Sequence, residues 1–312
     1  MRALWIMPVL AGGCSFHHGE LPTDATTDAA KEIDARVVDA AIAIDSMLDA
    51  PDGLGAWSTP VPITELNSDT GDDDPSLTSD LLEIYFGTKR LNQGDEDIFV
   101  AKRTATTQAW GTPALVANIN TFSNETTGKV AADGLTIYFS SNRANVNDYQ
   151  LYGSTRASRA VAFPAAAVIG FSSTSTNEYS PSPRPDLKRL IFCAGPTVAQ
   201  EGLWVSTRTL VTNVWGAPSL IAELDNAGSS ECDPMEPNDL TVYFSSNRTG
   251  DSDLYVARRT APNQPYGAPT AVTELNTAGS NDRDPWVSAD ERLMIFSSSR
   301  GDGTDRLYMT TR

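Results

Sequence analysis

The sequence predicts an all-β protein, a five-bladed β-propeller of four-stranded antiparallel blades. Three observations carry that expectation. A nonapeptide occurs twice almost unchanged, LTIYFSSNR at 135–143 and LTVYFSSNR at 240–248. Its phenylalanine recurs at Phe86, Phe139, Phe192, Phe244 and Phe296, with spacings of 53, 53, 52 and 52 residues. Helix-period stretches are absent from residues 57–312, which argues against a helical solenoid. A fixed internal period marks a repeat architecture.

Each unit divides into four short strands. The first starts at an aromatic residue (Trp57, Trp110, Phe163, Trp215 or Tyr266) and runs through the apolar part of a segment such as WGAPSLIAELD. The second precedes a hairpin tip at Asp80, Asp133, Asp186, Asn238 or Asp290, and Asp133-Gly134 is a favoured turn pair. The third is the LTVYF run. The fourth resembles DLYVARR and ends at Arg103, Arg156, Arg208, Arg259 or Arg312. The third strand is apolar on both faces, so both faces must be covered. Radial stacking of sheets supplies that cover. The phase of the repeat predicts closure: Trp57 to Asn67 completes the last blade, begun near Asp284, and leaves no open edge.

The run x-D-G-x-x-I-Y-F-S-S-x-R, followed by D-[IL]-Y-V-A-x-R, resembles the WD-repeat-like propeller repeat of TolB-type proteins. The resemblance covers residues 57–312 and implies the fold; such propellers serve many roles. The third unit departs from the pattern. Phe192 is followed by Cys193-Ala194-Gly195-Pro196, with neither Ser-Ser nor Arg.

The amino end reads as an address. Met1-Arg2, an apolar run from Ala3 to Ala11 and Gly12-Gly13-Cys14 form a signal-peptide pattern over residues 1–14. Its end resembles a bacterial lipobox, which would make Cys14 the lipidation site and the mature amino terminus. A plain secreted protein is the alternative. Residues 15–56 hold nine acidic and two basic residues in an Ala/Asp/Thr-rich background, the composition of a disordered, solvated tether. The expected location is the periplasmic face of an outer membrane, or outside the cell.

The net charge of −17 disfavours nucleic acid as a partner and disfavours direct adsorption to anionic lipid. Membrane attachment would therefore run through the lipid anchor alone, and a monomer is expected. Cys193 and Cys232 fall on one face of adjacent blades. Two separate, partly buried thiols are the expectation, with a disulfide as the alternative that an oxidising compartment would allow.

Candidate chemistry lies in two columns of polar residues. Asp72, Glu125, Glu178, Glu231 and Asp282 precede the hairpin tips by seven or eight residues. Two positions later stand Asp74, Thr127, Ser180, Asp233 and Asp284. Both columns are expected to ring one mouth of the channel, where they would bind a polar ligand or a cation. The competing reading is structural. Arg90, Arg143, Arg248 and Arg300 each follow the repeat phenylalanine by four residues, so each can pair with an acid of the first column. Unit three lacks this Arg, which predicts an unpaired Glu178.

No cofactor is expected. Asp/Asn/Gly-rich loops at 92–97, 145–148, 249–253 and 301–305 admit Ca²⁺, but none has the full calcium-loop spacing. Residues 57–312 contain no histidine, which removes Ser-His-Asp and Cys-His catalysis and His-bound zinc from the propeller. The sequence therefore predicts a non-enzymatic scaffold that binds an envelope protein or a glycan. The alternative is a five-bladed carbohydrate-active enzyme using carboxylates at the channel mouth.

Overall fold

The computed structural model describes residues 53–91, 95–172, 176–195, 200–209 and 212–312. The signal segment, Cys14 and the tether up to residue 52 lie outside them. The chain enters on β1 (Val61–Pro62) and then builds five sheets. Blade one is β2 (Asp72–Leu77), β3 (Glu83–Thr88), β4 (Asp97–Lys102) and β5 (Ala114–Leu115). Blade two is β6 (Glu125–Val130), β7 (Thr136–Asn145), β8 (Asp148–Thr155) and β9 (Ala167–Val168). Blade three is β10 (Asn177–Pro183), β11 (Arg189–Gly195), β12 (Gly202–Thr207) and β13 (Ser219–Leu220). Blade four is β14 (Glu231–Asn238), β15 (Thr241–Ser246), β16 (Asp253–Arg258) and β17 (Thr270–Ala271).

Blade five is β18 (Asp282–Val287), β19 (Leu293–Ser298) and β20 (Arg306–Thr311), with β1 as its outer strand. Val61 pairs with Met309 and Pro62 with Tyr308, antiparallel. The amino-terminal segment thus closes the ring in the register the repeat predicts. All strand pairs are antiparallel, and the described residues contain no helix.

The outer strands are shorter than the sequence suggests. Only two residues of each form the outer strand, and the aromatic residue lies outside it, though Trp215 makes an isolated bridge to Arg208. Proline explains this: Pro60, Pro113, Pro164, Pro218 and Pro269 each precede an outer strand and have no N–H to give a neighbour.

The aromatic residue instead packs under the arginine that ends the fourth strand. Arg103 lies over Trp110 at 4.1 Å, Arg156 over Phe163 at 4.3 Å, and Arg208 over Trp215 at 4.4 Å. Arg259 covers Tyr266 at 4.6 Å, and Arg312 covers Trp57 at 4.3 Å. Each arginine also donates from Nε to a hairpin carbonyl, such as Leu81 at 2.8 Å and Glu291 at 2.7 Å. Stacking plus a directed hydrogen bond is a guanidinium's strength, and lysine cannot reproduce it. The repeat phenylalanines are buried between blades, none more than 2% exposed.

Cys193 on β11 and Cys232 on β14 form a disulfide, with Cα atoms 5.0 Å apart. This corrects the expectation of separate thiols. The bridge joins blades three and four, where unit three lacks its arginine. Cys193 stands where other units carry Ser140, Ser245 and Ser297, so a covalent link occupies the place of a hydrogen bond.

Candidate functional site

The eight candidate carboxylates fall into two sets with different surroundings. Asp72, Glu125, Glu231 and Asp282 begin the innermost strands of their blades and are fully buried. Arg90 Nη2 lies 2.5 Å from Asp72, Arg143 Nη2 3.1 Å from Glu125, Arg248 Nη2 3.2 Å from Glu231 and Arg300 Nη2 2.6 Å from Asp282. The same nitrogens donate to the carbonyls of Leu66, Ile119, Leu224 and Leu275, just past the preceding outer strands. Each arginine therefore ties its blade to the chain entering from the blade before. These acids face the blade interior.

Glu178, the unit-three member, is also buried, 4% exposed. It accepts a hydrogen bond from Ser172 Oγ, which corrects the expectation that losing the arginine leaves it unpaired.

The second set surrounds the axis. Asp74, Thr127, Ser180, Asp233 and Asp284 all adopt left-handed backbone angles, φ between 51° and 55°. The ladders slip register at these points, between 73 and 76, 126 and 129, 179 and 182, 232 and 235, and 283 and 286. A bulge of this kind re-aims side chains, here toward the centre. Neighbours bond around the ring. Thr127 N donates to Asp74 at 3.1 Å, Ser180 N to Thr127 Oγ1 at 3.2 Å, and Ser180 Oγ to Asp233 at 2.7 Å. Asp74, Asp233 and Asp284 can each place an oxygen within 4.8 Å of the others.

Such crowding separates their ionisation. Burial, and after it Asp284, pushes Asp233 up to about 6. Burial and Asp284 raise Asp74 well above the usual carboxylate range. For Asp284 burial also opposes ionisation, but the Arg283 and Lys129 charges outweigh it and hold the carboxyl low.

Two features were missed by reading the sequence. One is an apolar funnel of about 410 Å³ at the hairpin-tip end of the axis. Leu81, Pro183, Met235, Pro237, Trp286 and Leu293 are among its walls, drawn from blades one, three, four and five. Lys129 joins funnel to ring: it lines the cavity, and its Nζ lies 3.6 Å from Asp74 and 3.3 Å from the Pro75 carbonyl. Pro185 and Pro237, each one residue before its hairpin tip, were the available signal.

The other is a second carboxylate cluster, Asp73, Asp74 and Glu96, again with oxygens within 4.8 Å of one another. Glu96 precedes β4, and its N–H donates to Asn124 of the neighbouring blade at 2.9 Å. Burial and Glu96 raise Asp73, and burial raises Glu96 against the hydrogen bond from Thr126. The signal was Gly87, which breaks the serine column of the repeat.

The class these features define is a five-bladed β-propeller with a polar ring at its axis and an apolar funnel at one end. No family model matches the chain, and no curated protein matches it. Solved structures do. A structure assigned to TolB from Agrobacterium tumefaciens is 13% identical, with a TM-score of 0.51, over 78% of this chain and 79% of its own. TolB from Acinetobacter baumannii is 13% identical, with a TM-score of 0.50, over 80% of this chain and 56% of that one. The catalytic domain of a Coprinopsis cinerea GH62 α-L-arabinofuranosidase is 13% identical, with a TM-score of 0.56, over 82% of this chain and 96% of that one. At these identities the likeness shows the fold alone.

Proposed function

We propose that this chain is an exported, lipid-anchored binding propeller without enzymatic activity. Its funnel takes an apolar, extended segment of another envelope protein. The funnel is the observation that carries this reading. Its volume falls in the range of sites that bury side chains or small ligands. The wall surface is mostly apolar, although serines, Lys129, Asp290 and Arg292 also line it, which favours a protein segment with an apolar face over a glycan rich in hydroxyls. The carboxylates nearest the axis accept hydrogen bonds from serine and threonine neighbours, which suits a scaffold better than an open catalytic cleft.

The test is a selection of displayed peptides against the full chain. Apolar sequences should emerge, and Leu293→Asp should weaken them by about tenfold or more while leaving the melting midpoint within a few degrees. Binding that ignores Leu293→Asp and Leu81→Asp alike would overturn the funnel as the site.

A second reading rests on the divergent acidity of Asp233 and Asp284, the pattern of an acid and its partner base. Under it the chain is a carbohydrate-active enzyme. Turnover of an arabinoxylan panel that vanishes in Asp233→Asn would establish that reading; the scaffold predicts no turnover.

The anchor is proposed on Cys14 at the end of the signal segment, which places the propeller at the periplasmic face of an outer membrane. Cys14→Ala is expected to move the protein from the membrane pellet to the soluble fraction. A variant that stays in the pellet would refute lipidation.

A further inference from the structure

In blades two, four and five the serine after the repeat phenylalanine reaches the ring. Ser140 Oγ meets Thr127 Oγ1 at 2.8 Å, Ser245 Oγ donates to Asp233, and Ser297 Oγ donates to Asp284. Blade one has Gly87 at this place and so has no hydroxyl for Asp74. The space is filled by acid: a Cβ on Gly87 would sit 2.7 Å from Asp73 Oδ1 and 2.7 Å from Glu96 Oε1. The blade that lost its donor has therefore gathered two further carboxylates around an already buried one.

Asp74 is only 3% exposed. Its Oδ2 accepts from Thr126 Oγ1 at 3.3 Å and from Thr127 N. Its Oδ1 is enclosed and has no hydrogen-bond donor among the described residues; Lys129 forms a 3.6 Å ion pair with it, longer than a hydrogen bond. Asp73 Oδ1 and Glu96 Oε1 are likewise enclosed and without donors among the described residues. Each of these three residues has an oxygen within 4.8 Å of the other two. Arg283 adds positive charge nearby, but its Nη2 is engaged by Asp305 at 2.5 Å and it gives none of the three oxygens a hydrogen bond.

A buried carboxylate oxygen with no donor is costly, and gathering three such carboxylates raises that cost. Two oxygens bound to one Ca²⁺ at about 2.4 Å lie at most about 4.8 Å apart, so oxygens that all lie within that distance of one another can share a single ion of that size. Mg²⁺, at about 2.1 Å, requires a tighter octahedron.

We infer that Asp73, Asp74 and Glu96 form a binding site for one hard divalent cation of the calcium class, built where Gly87 replaces the repeat serine. The ion takes the place of the missing hydroxyl and neutralises the cluster. Asp233 and Asp284 are not its ligands, because Ser180, Ser245 and Ser297 already serve them. The proposal is independent of what occupies the funnel.

The experiment strips the full chain with chelator, then follows its thermal unfolding and its calorimetric titration with CaCl₂ and with MgCl₂. At about 1 mM CaCl₂ the midpoint should rise by about 5 °C or more, with MgCl₂ giving a smaller shift. Native mass spectrometry should count one Ca²⁺ per chain. The Asp73→Asn/Glu96→Gln double variant should lose the calcium shift. In chelator it should also melt at or above the wild type, because the substitutions remove repulsion. Gly87→Ser, which restores the hydroxyl and displaces two flexible carboxylates, should fold and also lose the shift. Asp302→Asn, on an exposed loop, should keep it. No calcium shift in the wild type, or an equal shift in the double variant and Gly87→Ser, would overturn the site.

Discussion

Replacing Glu291 by Gln is expected to lower the stability of the folded protein by about 3 kcal/mol near neutral pH. Glu291 sits at the hairpin tip of blade five, is 4% exposed and has its backbone in the left-handed region, φ 55°. Its carboxylate collects donors from two blades. Thr241 Oγ1 at 2.7 Å, Asn238 Nδ2 at 2.8 Å and Tyr243 OH at 2.9 Å reach it from blade four. Arg258 Nη2 and Arg312 Nη2 each lie 2.8 Å away. Burial opposes its charge, but the hydrogen bonds from Arg258, Thr241 and Asn238 win and hold its pKa at about 2, against an ordinary 4.5.

The folded pKa is below the unfolded one, so this stabilisation is fully present above about pH 4.5 and is lost as pH falls toward 2. Denaturant unfolding of wild type and Glu291→Gln should therefore differ most near neutrality and converge as pH falls through that window. Equal stabilities at neutral pH would show that the junction contributes nothing. Glutamine keeps the shape and the backbone angle, so loss of charge is the main change. The two arginines left facing a neutral amide account for the expected size.

The ring of blades was legible because every blade needs the same things. Each must cover both faces of its third strand, seat an aromatic under an arginine, and tie an acid to the entering chain. Those needs recur as columns in the sequence. The local register at the axis was not legible. Asp72 and Asp74 are two residues apart, and a regular strand would put both on one face. The bulge at 74 and 75 turns Asp72 into the blade and Asp74 toward the centre. No residue pattern announces that turn, because Asp, Thr and Ser all occupy the left-handed position. Departures from the repeat held more information than was drawn from them. Cys193 marks a bridge to Cys232, and Gly87 marks the acid cluster. The funnel stayed hidden because Met235, Pro237 and Leu293 come from distant parts of the chain and meet only once the ring is closed.

The largest effect is expected at that closure. Trp57 is 6% exposed beneath Arg312, and Ile63 and Leu66 are buried among Trp286, Ile295 and Leu307. Ser58 N donates to the Thr311 carbonyl at 2.8 Å, and Ile63 N to the Leu307 carbonyl at 2.9 Å. Asn67 brackets Leu307, accepting from its N–H at 2.8 Å and donating to its carbonyl at 3.1 Å. Trp57→Ala alone should cost about 3–5 kcal/mol, from lost burial and an unfilled cavity. Deleting residues 53–67 should go further and abolish the single cooperative melt, since it strips β20 of its outer partner and leaves Arg90 without the Leu66 carbonyl. A truncated chain that still melts as one sharp transition near the wild-type midpoint would mean that β1 is an ornament on a ring closed by other means.

The central claim is that residues at the two ends of the propeller lie side by side in one sheet. Ser58 Oγ and Thr310 Oγ1 are 3.1 Å apart across that seam, 252 positions distant in sequence. The direct measurement is mass spectrometry of a Ser58→Cys/Thr310→Cys variant, in a Cys14→Ser background, after mild oxidation of the folded chain. The closed ring predicts an intramolecular disulfide between the two introduced cysteines in nearly all monomers, together with a raised melting midpoint. Recovery of both new thiols as free groups in the folded monomer would contradict it.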